Sequence, residues 1–249
     1  VRYFFEQKQG KNYAINYGIR MSCGEILIFI DDDITVEKSW FDFVIQSIQK
    51  NPDVEIFGGR IFTKWPDLTP EWVRYSSSTF PFLFCDHNLG EKQVYYSNSP
   101  LPAGANFWIK RSLLKKYNVM FNVNYGPCGM KRVSGSETEF LKRMYDNGVK
   151  MLYVPDALVY HRVLPCEFEF RRLIHRFFSA GKSAVALSPE IIPRRSLFGI
   201  PLYIVRQTLE ELVVLIFFLL LLHKNKYMNS LIKISYFWGK TNAYYNRCK

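Results

Sequence analysis

A chain of 249 residues with 48% hydrophobic side chains has room for one large α/β domain plus an appendage, or two small domains, and is too apolar for a disordered tract. The formal charge of +11 is uneven: residues 1–150 carry 19 Lys/Arg against 16 Asp/Glu and residues 151–249 carry 14 against 6, so the C-terminal part calls for an anionic partner, nucleic acid or an anionic membrane surface. Five widely spaced cysteines without a C-x-x-C argue against a zinc site or disulfide framework and predict reduced, buried thiols in a cytosolic protein.

In chain order, Val1–Glu6 reads as a short strand broken by Gly10-Lys11-Asn12. Asn12–Ser22 places Tyr13, Ile15, Tyr17 and Met21 at helical spacing, and Gly24 closes that helix. Glu25–Ile30 follows as an unbroken apolar run, the pattern of a strand buried on both faces in a largely parallel sheet. Asp31, Asp32 and Asp33 come directly after it. Ser39–Lys50 carries Phe41, Val44, Ile45 and Ile48 on one helical face, and Asn51-Pro52 stops it. Val54–Phe57 and Arg60–Thr63 are strand pieces around Gly58-Gly59.

Residues 64–100 mix Trp, Pro, Ser and aromatics without a period and predict a long irregular loop region. Regular structure resumes over Asn106–Lys116. Ser136 and Glu139 predict a capping box on a helix that runs to about Asp146 and ends at Asn147-Gly148. Lys150–Val154 and Ala157–His161 read as strands, and Glu167–Ala180 as a basic helix. The alternation predicts an α/β sheet in residues 1–187, a Pro- and Arg-containing linker over 188–201, and a helical arm over 202–249.

Three acids at the carboxyl end of a buried strand stand where open α/β sheets bind ligands. Adjacent carboxylates repel one another, and a cation relieves them. Taken alone, the same residues also fit a solvated turn in which Asp33 or Thr35 caps the following segment.

The surrounding motifs bear on that choice. Gly10-Lys11-x-x-Ala14-Ile15-Asn16-x-Gly18-Ile19, then Gly24-Glu25-Ile26-Leu27-x-Phe29-x-Asp31-Asp32-Asp33, resembles the middle of family 2 glycosyltransferases, which have the GT-A fold. Gly58-Gly59-Arg60 with Trp65 and Pro70-x-Trp72, the loop Gly104-Ala105-Asn106 with Lys110-Arg111, and Gly135-Ser136-Glu137-Thr138-Glu139 continue the resemblance. Tyr153-x-Pro155-x-Ala157-x-Val159-x-His161 and Arg172 through Gly181-Lys182-Ser183 close it, so it covers about residues 1–185 in order.

The resemblance implies a mixed sheet flanked by helices and transfer of a sugar from a nucleotide-diphosphate sugar, a UDP-sugar first, to a hydroxyl of a saccharide or lipid-linked saccharide. It places Lys11, Asn16, Asp31, Asp32 and Asp33 on the donor. Mn²⁺ or Mg²⁺ would be held by Asp33 directly, with Asp31 at the ribose or metal and His161 completing the shell. Imidazole among the ligands favours Mn²⁺. Inverting transfer needs a base at the acceptor hydroxyl. Glu137 stands where the family has aspartate, and Ser136 where it has glutamate, two departures that leave a weak or silent relative open. Gly104, Asn106, Trp65 and Trp72, with Trp108, are the candidates for the acceptor and its sugars. The Gln-x-x-Arg-Trp element of processive synthases is missing, which predicts single addition.

The run Leu212–Leu222 before His223-Lys224-Asn225-Lys226 is short for a spanning helix and predicts an interfacial or partly inserted helix on the cytoplasmic face of the cell membrane. The basic residues gather beside that run instead of along a stripe, against nucleic acid as partner. A metal-dependent phosphohydrolase is a further alternative for the aspartates. Finally, the chain opens on Val1, and nothing in it resembles the two strand–helix units that begin a GT-A sheet, so the expectation is a fragment lacking the base pocket.

Overall fold

The computed structural model describes residues 2–80, 84–128, 131–133, 135–188 and 195–247. The chain forms two compact units, one of Val1–Trp65 with Phe84–Val163, the other of Pro66–Leu83 with Leu164–Lys249. The expected boundary at residues 187/188 falls inside the second unit, which takes in residues 66–83 and the basic helix as well as the arm.

In the first unit, α1 (Lys11–Met21) leads to β1 (Ile26–Ile30), β2 (Ile34–Val36), α2 (Trp40–Lys50) and β3 (Ile56–Lys64). After residues 66–83 come β4 (Val94–Tyr95), β5 (Asn106–Lys110), α4 (Arg111–Tyr117), β6 (Gly126–Cys128), β7 (Lys131–Val133), α5 (Ser136–Asp146) and β8 (Met151–Arg162); α3 (Glu71–Thr79) belongs to the other unit. The main sheet runs β1-β5-β3-β8-β2, with β4 also on β8. β3 and β8 are parallel and every other pairing is antiparallel, so the sheet is mixed. Because β5 lies antiparallel between β1 and β3, the strands β1, β3 and β8 all deliver their carboxyl ends to one edge.

Side chains alternate across the sheet as strand geometry requires. Ile56, Phe107, Ile109 and Tyr153 join Phe121, Phe140 and Met144 on one face, while Phe57, Trp108, Leu152 and Val154 join Trp40 and Val44 on the other. The expected strands at 150–154 and 157–161 are one strand with a bulge. Gly59 pairs with Val154 and Ile61 with Val159, so β8 spends extra residues, Pro155 among them, where β3 spends one. Proline has no N–H for the ladder, which localises the irregularity there. The Asn106 amide donates to the Arg60 carbonyl at 3.0 Å and the Ala157 carbonyl at 2.8 Å, repairing the ladder at the bulge. Gly59 is obligatory beside it, since a Cβ there would strike the Asn106 amide and the Ala157 carbonyl.

Other expectations are corrected. Residues 2–7 form no strand; Tyr3 and Phe5 are exposed, so their alternation has no face to bury. The α1 helix ends at Met21 with Ser22 as its C-cap, ahead of Gly24. The capping box at Ser136 does not form: Gly135 is the N-cap, the Ser136 hydroxyl donates to the Asn12 side-chain oxygen Oδ1, and Glu139 pairs with Arg143 at 3.0 Å. Cys23 and Cys166 are exposed and Cys85 is half-buried, so these three thiols are not the buried ones expected.

The second unit holds α3, α6 (Phe170–Ala186), the hairpin of β9 (Ser196–Leu197) and β10 (Ile200–Pro201), α7 (Leu202–Leu220) and α8 (Lys224–Arg247). The expected loop at 64–100 thus contains α3, whose buried face of Trp72, Val73 and Ser76 was hidden by its serines. The expected linker contributes a hairpin over 196–201, while residues 189–194 lie outside the described residues. α6 and α8 meet backbone to backbone at Gly181 and Gly239, each of whose missing Cβ is replaced by a carbonyl of the other helix, Tyr236 and Phe178 respectively. α7 is held to α8 by buried Glu211, which accepts from the Ser230 hydroxyl at 3.1 Å and pairs with Lys233 at 3.2 Å. No helix among the described residues is long and apolar enough to cross a membrane.

His87, bridged to Ile61 on β3, is buried with its Nε2 2.9 Å from the Tyr96 hydroxyl. Burial pushes its imidazole from the ordinary 6.5 down to about 4. Between those values the unfolded chain takes up a proton that the folded chain refuses, so stability falls as pH falls through this window, by about 3 kcal/mol at its acid end. His87→Gln keeps a partner for Tyr96 and cannot titrate. The wild-type advantage over this variant, measured by urea unfolding, should shrink as pH drops from 6.5 to 4.

Candidate active site

The carboxyl end of β1 carries the three aspartates, in the turn that leads into β2. Ile30 pairs with Asn106, and Ile34 pairs with His161, so the start of β5 and the end of β8 flank that turn. The Arg162 N–H donates to the Asp33 carbonyl at 2.9 Å and fixes the turn against β8.

Two charge constellations result. Lys11, on the first turn of α1, places its ammonium 2.6 Å from Glu137 Oε1 and 3.3 Å from Asp31 Oδ1. Burial pulls the Lys11 ammonium down, but Glu137 and Asp31 together outweigh that and hold it above the ordinary lysine range. Glu137 lies in the first turn of α5. Gly104 makes its position possible: a Cβ there would sit 2.7 Å from Glu137 Cδ and 2.8 Å from its Cγ.

In the second constellation His161 Nε2 stands 3.3 Å from Asp33 Oδ2. Asp33 Oδ1 and His161 Nδ1 are buried with no hydrogen-bond partner. A carboxylate and an imidazole at this spacing fit adjacent positions around one small cation, whose bonds to its ligands are about 2.1 Å. Among the described residues no third carboxylate, thiol or imidazole joins them. A cation held this way would draw its remaining donors from phosphate oxygens and water, as Mg²⁺ commonly does. The Asp31 carboxylate faces Lys11, and Asp32 is exposed.

Several expected ligand contacts prove to be struts. Asn16 donates to the Phe121 carbonyl at 2.8 Å and accepts from its N–H at 3.0 Å, which ties α1 to the segment before β6. Asn106 is fully buried; besides its two carbonyls it accepts from the Trp40 indole at 3.0 Å, so no acceptor sugar can reach it. Trp108 is wholly buried and stacks on Phe57, with centroids 5.7 Å apart. Trp72 is buried in the second unit against Phe170. Trp65, half-buried at the end of β3, meets Phe84 edge to face at 4.9 Å. Sequence reasoning missed the direct Lys11–Glu137 pair and the clearance that Gly104 provides; the two residues of each pair are remote in the chain, and no local signal couples them.

A mixed sheet flanked by helices, with acids at the carboxyl edge of β1 and a carboxylate on a helix N-terminus, is a GT-A-like α/β arrangement. Residues 1–118 match the model of Glycosyl transferase family 2, so this part of the chain is similar to that family. It is 27% identical over 180 residues to the glucosyl-dolichyl phosphate glucuronosyltransferase of Haloferax volcanii, covering 72% of this chain and 56% of the relative. To glycosyltransferase AglE of the same organism it is 24% identical over 200 residues, covering 80% and 59%. The chain therefore spans a little over half the length of these relatives. Among solved structures, GalNAc-T7 with UDP, GalNAc and Mn²⁺ aligns with 15% identity and a TM-score of 0.46, covering 77% of this chain and 40% of that one.

The Gly104–Glu137 contact is directly measurable. Gly104→Ala should cost about 1–3 kcal/mol through overpacking. Glu137→Ala, by removing the side chain in the way, should recover most of that loss. A double-mutant cycle on unfolding free energy should give a coupling of about 1 kcal/mol or more. Additive losses would mean the two do not touch.

Proposed function

We propose that the protein is a metal-dependent, inverting glycosyltransferase that adds a single sugar from a nucleotide-diphosphate sugar, a UDP-sugar first, to a saccharide or lipid-linked saccharide. The observation that carries the reading is the pair of constellations on one sheet edge: Glu137 with Lys11 and Asp31, and Asp33 with His161. A relative named for action on glucosyl-dolichyl phosphate supports the lipid-linked acceptor.

Glu137 serves as the base. As the acceptor oxygen attacks the anomeric carbon, its proton passes to a Glu137 oxygen, and the bond from the anomeric carbon to the diphosphate breaks with its electron pair on the phosphate. Lys11 fixes the position of Glu137 through their ion pair, and its ammonium lies beside Asp31 where donor charge would gather. Asp33 and His161 would hold Mn²⁺ or Mg²⁺, which offsets charge on the leaving diphosphate. Gly104 leaves the room that the Glu137 side chain occupies.

A second reading has its own support. An ammonium at 2.6 Å already occupies the Glu137 oxygen that a base would offer to the acceptor hydroxyl, which favours a slow or silent relative that binds donor without turning it over. Turnover with a bound donor separates the two.

Calorimetry with a panel of UDP- and GDP-sugars, with Mn²⁺ or with EDTA, should find binding that requires the metal. Asp33→Asn should abolish the Mn²⁺-dependent part while leaving thermal unfolding intact; unchanged affinity would defeat the metal assignment. Glu137→Gln should keep donor binding and lower turnover about 10²–10⁴-fold. Near-normal turnover in that variant would remove Glu137 from the chemistry.

A further inference from the structure

The end of α7 has no work inside its unit. Its inner face buries Ile204 and Glu211, and Glu211 bonds to α8. Its outer face carries Leu209, Val213, Ile216, Phe217 and Leu220, all exposed and spaced along one side of the helix. At the tip the pattern changes. Leu219, Leu220, Leu221 and Leu222 are exposed in succession, with Leu222 at 86%, so the apolar surface goes all the way round.

Cations follow at once. Lys224 and Lys226 open α8, and the Lys226 ammonium lies 4.7 Å from the centre of the Phe218 ring. The whole of α8, Lys224–Arg247, carries five Lys/Arg and no acid. A helix that meets a partner protein needs one apolar side. A tip apolar on every side and collared by lysines has the layout of an element pushed into lipid with its cations left at the headgroups. A second copy would set one basic α8 against another, whereas an anionic headgroup layer complements it. Length limits the depth, since no described helix can cross a bilayer.

We propose that the α7–α8 hairpin tip, Phe217–Lys226, inserts into one leaflet of an anionic bilayer, with Leu220, Leu221 and Leu222 among the acyl chains and Lys224 and Lys226 at the phosphates. The proposal is independent of the reaction at the sheet edge and would survive its failure.

The test is flotation of the full chain with vesicles of phosphatidylcholine alone and of phosphatidylcholine mixed with phosphatidylglycerol. The chain should float with the mixed vesicles and much less with the neutral ones. Leu220→Ser/Leu221→Ser/Leu222→Ser should weaken this binding at least about tenfold. Its circular dichroism should match wild type, because the replaced side chains face solvent. Lys224→Glu/Lys226→Glu should erase the preference for the anionic lipid. In Leu221→Trp, brominated acyl chains should quench the new indole. Flotation unaffected by the triple serine variant, or an unquenched indole, would overturn the proposal. So would a vesicle-free dimer that the triple variant dissolves, since a second copy would then own the tip.

Discussion

The site depends on how one buried amide deals with a mismatch between two parallel strands. Where β8 bulges around Pro155, carbonyls of β3 and β8 lose regular partners, and unpaired carbonyls in a dry sheet are expensive. The Asn106 side chain satisfies both and takes the Trp40 indole on its other end, so α2, β3, β5 and β8 share one polar joint. The residues beyond the bulge then pair in a shifted register, which puts His161 opposite Ile34 and beside Asp33. A residue with no access to solvent thereby decides where Asp33 and His161 meet.

Charge is distributed there in a way that a bare aspartate turn would not achieve. Three acids and Glu137 would repel one another, and Lys11 relieves part of that by touching two of them. His161 faces a third. Under the proposed function a donor diphosphate would add further negative charge, for a cation between Asp33 and His161 and the Lys11 ammonium to balance. The unsatisfied Asp33 oxygen fits that account, because a buried carboxylate oxygen without a partner is rare unless a ligand supplies one.

Much of this was legible in the sequence where a local pattern carried it. The run Ile26–Ile30 and the α2 helix are the strand and helix their patterns predicted, but β1 ends the sheet order, half-exposed and antiparallel to β5, and is no strand buried on both faces of a parallel sheet. α5 forms without the capping box that marked it, and the ordered motifs agreed with the matched family. The failures have physical causes. Helix α3 buries Trp72, Val73 and Ser76 behind a run of serines that conceals its period. Residues 2–7 have strand-like composition, but a strand needs a neighbour to pair with as well as a propensity. Trp72, Trp108, Asn16 and Asn106 have the chemistry of binding residues, and burial turned them into packing and bracing. Nothing along the chain distinguishes an asparagine that reads a sugar from one that mends a sheet.

The crossing of α6 and α8 has a mechanical meaning of its own. At Gly181 and Gly239 each backbone fills the notch left by the other's absent side chain, and the two notches are reciprocal. Such a joint is keyed: sliding either helix by a residue would drive a β-carbon into a peptide group at both ends at once. The pair can separate, but it cannot creep. Any force applied along α8 must therefore reach α6 as displacement of a rigid strut and cannot be absorbed as slippage between the two.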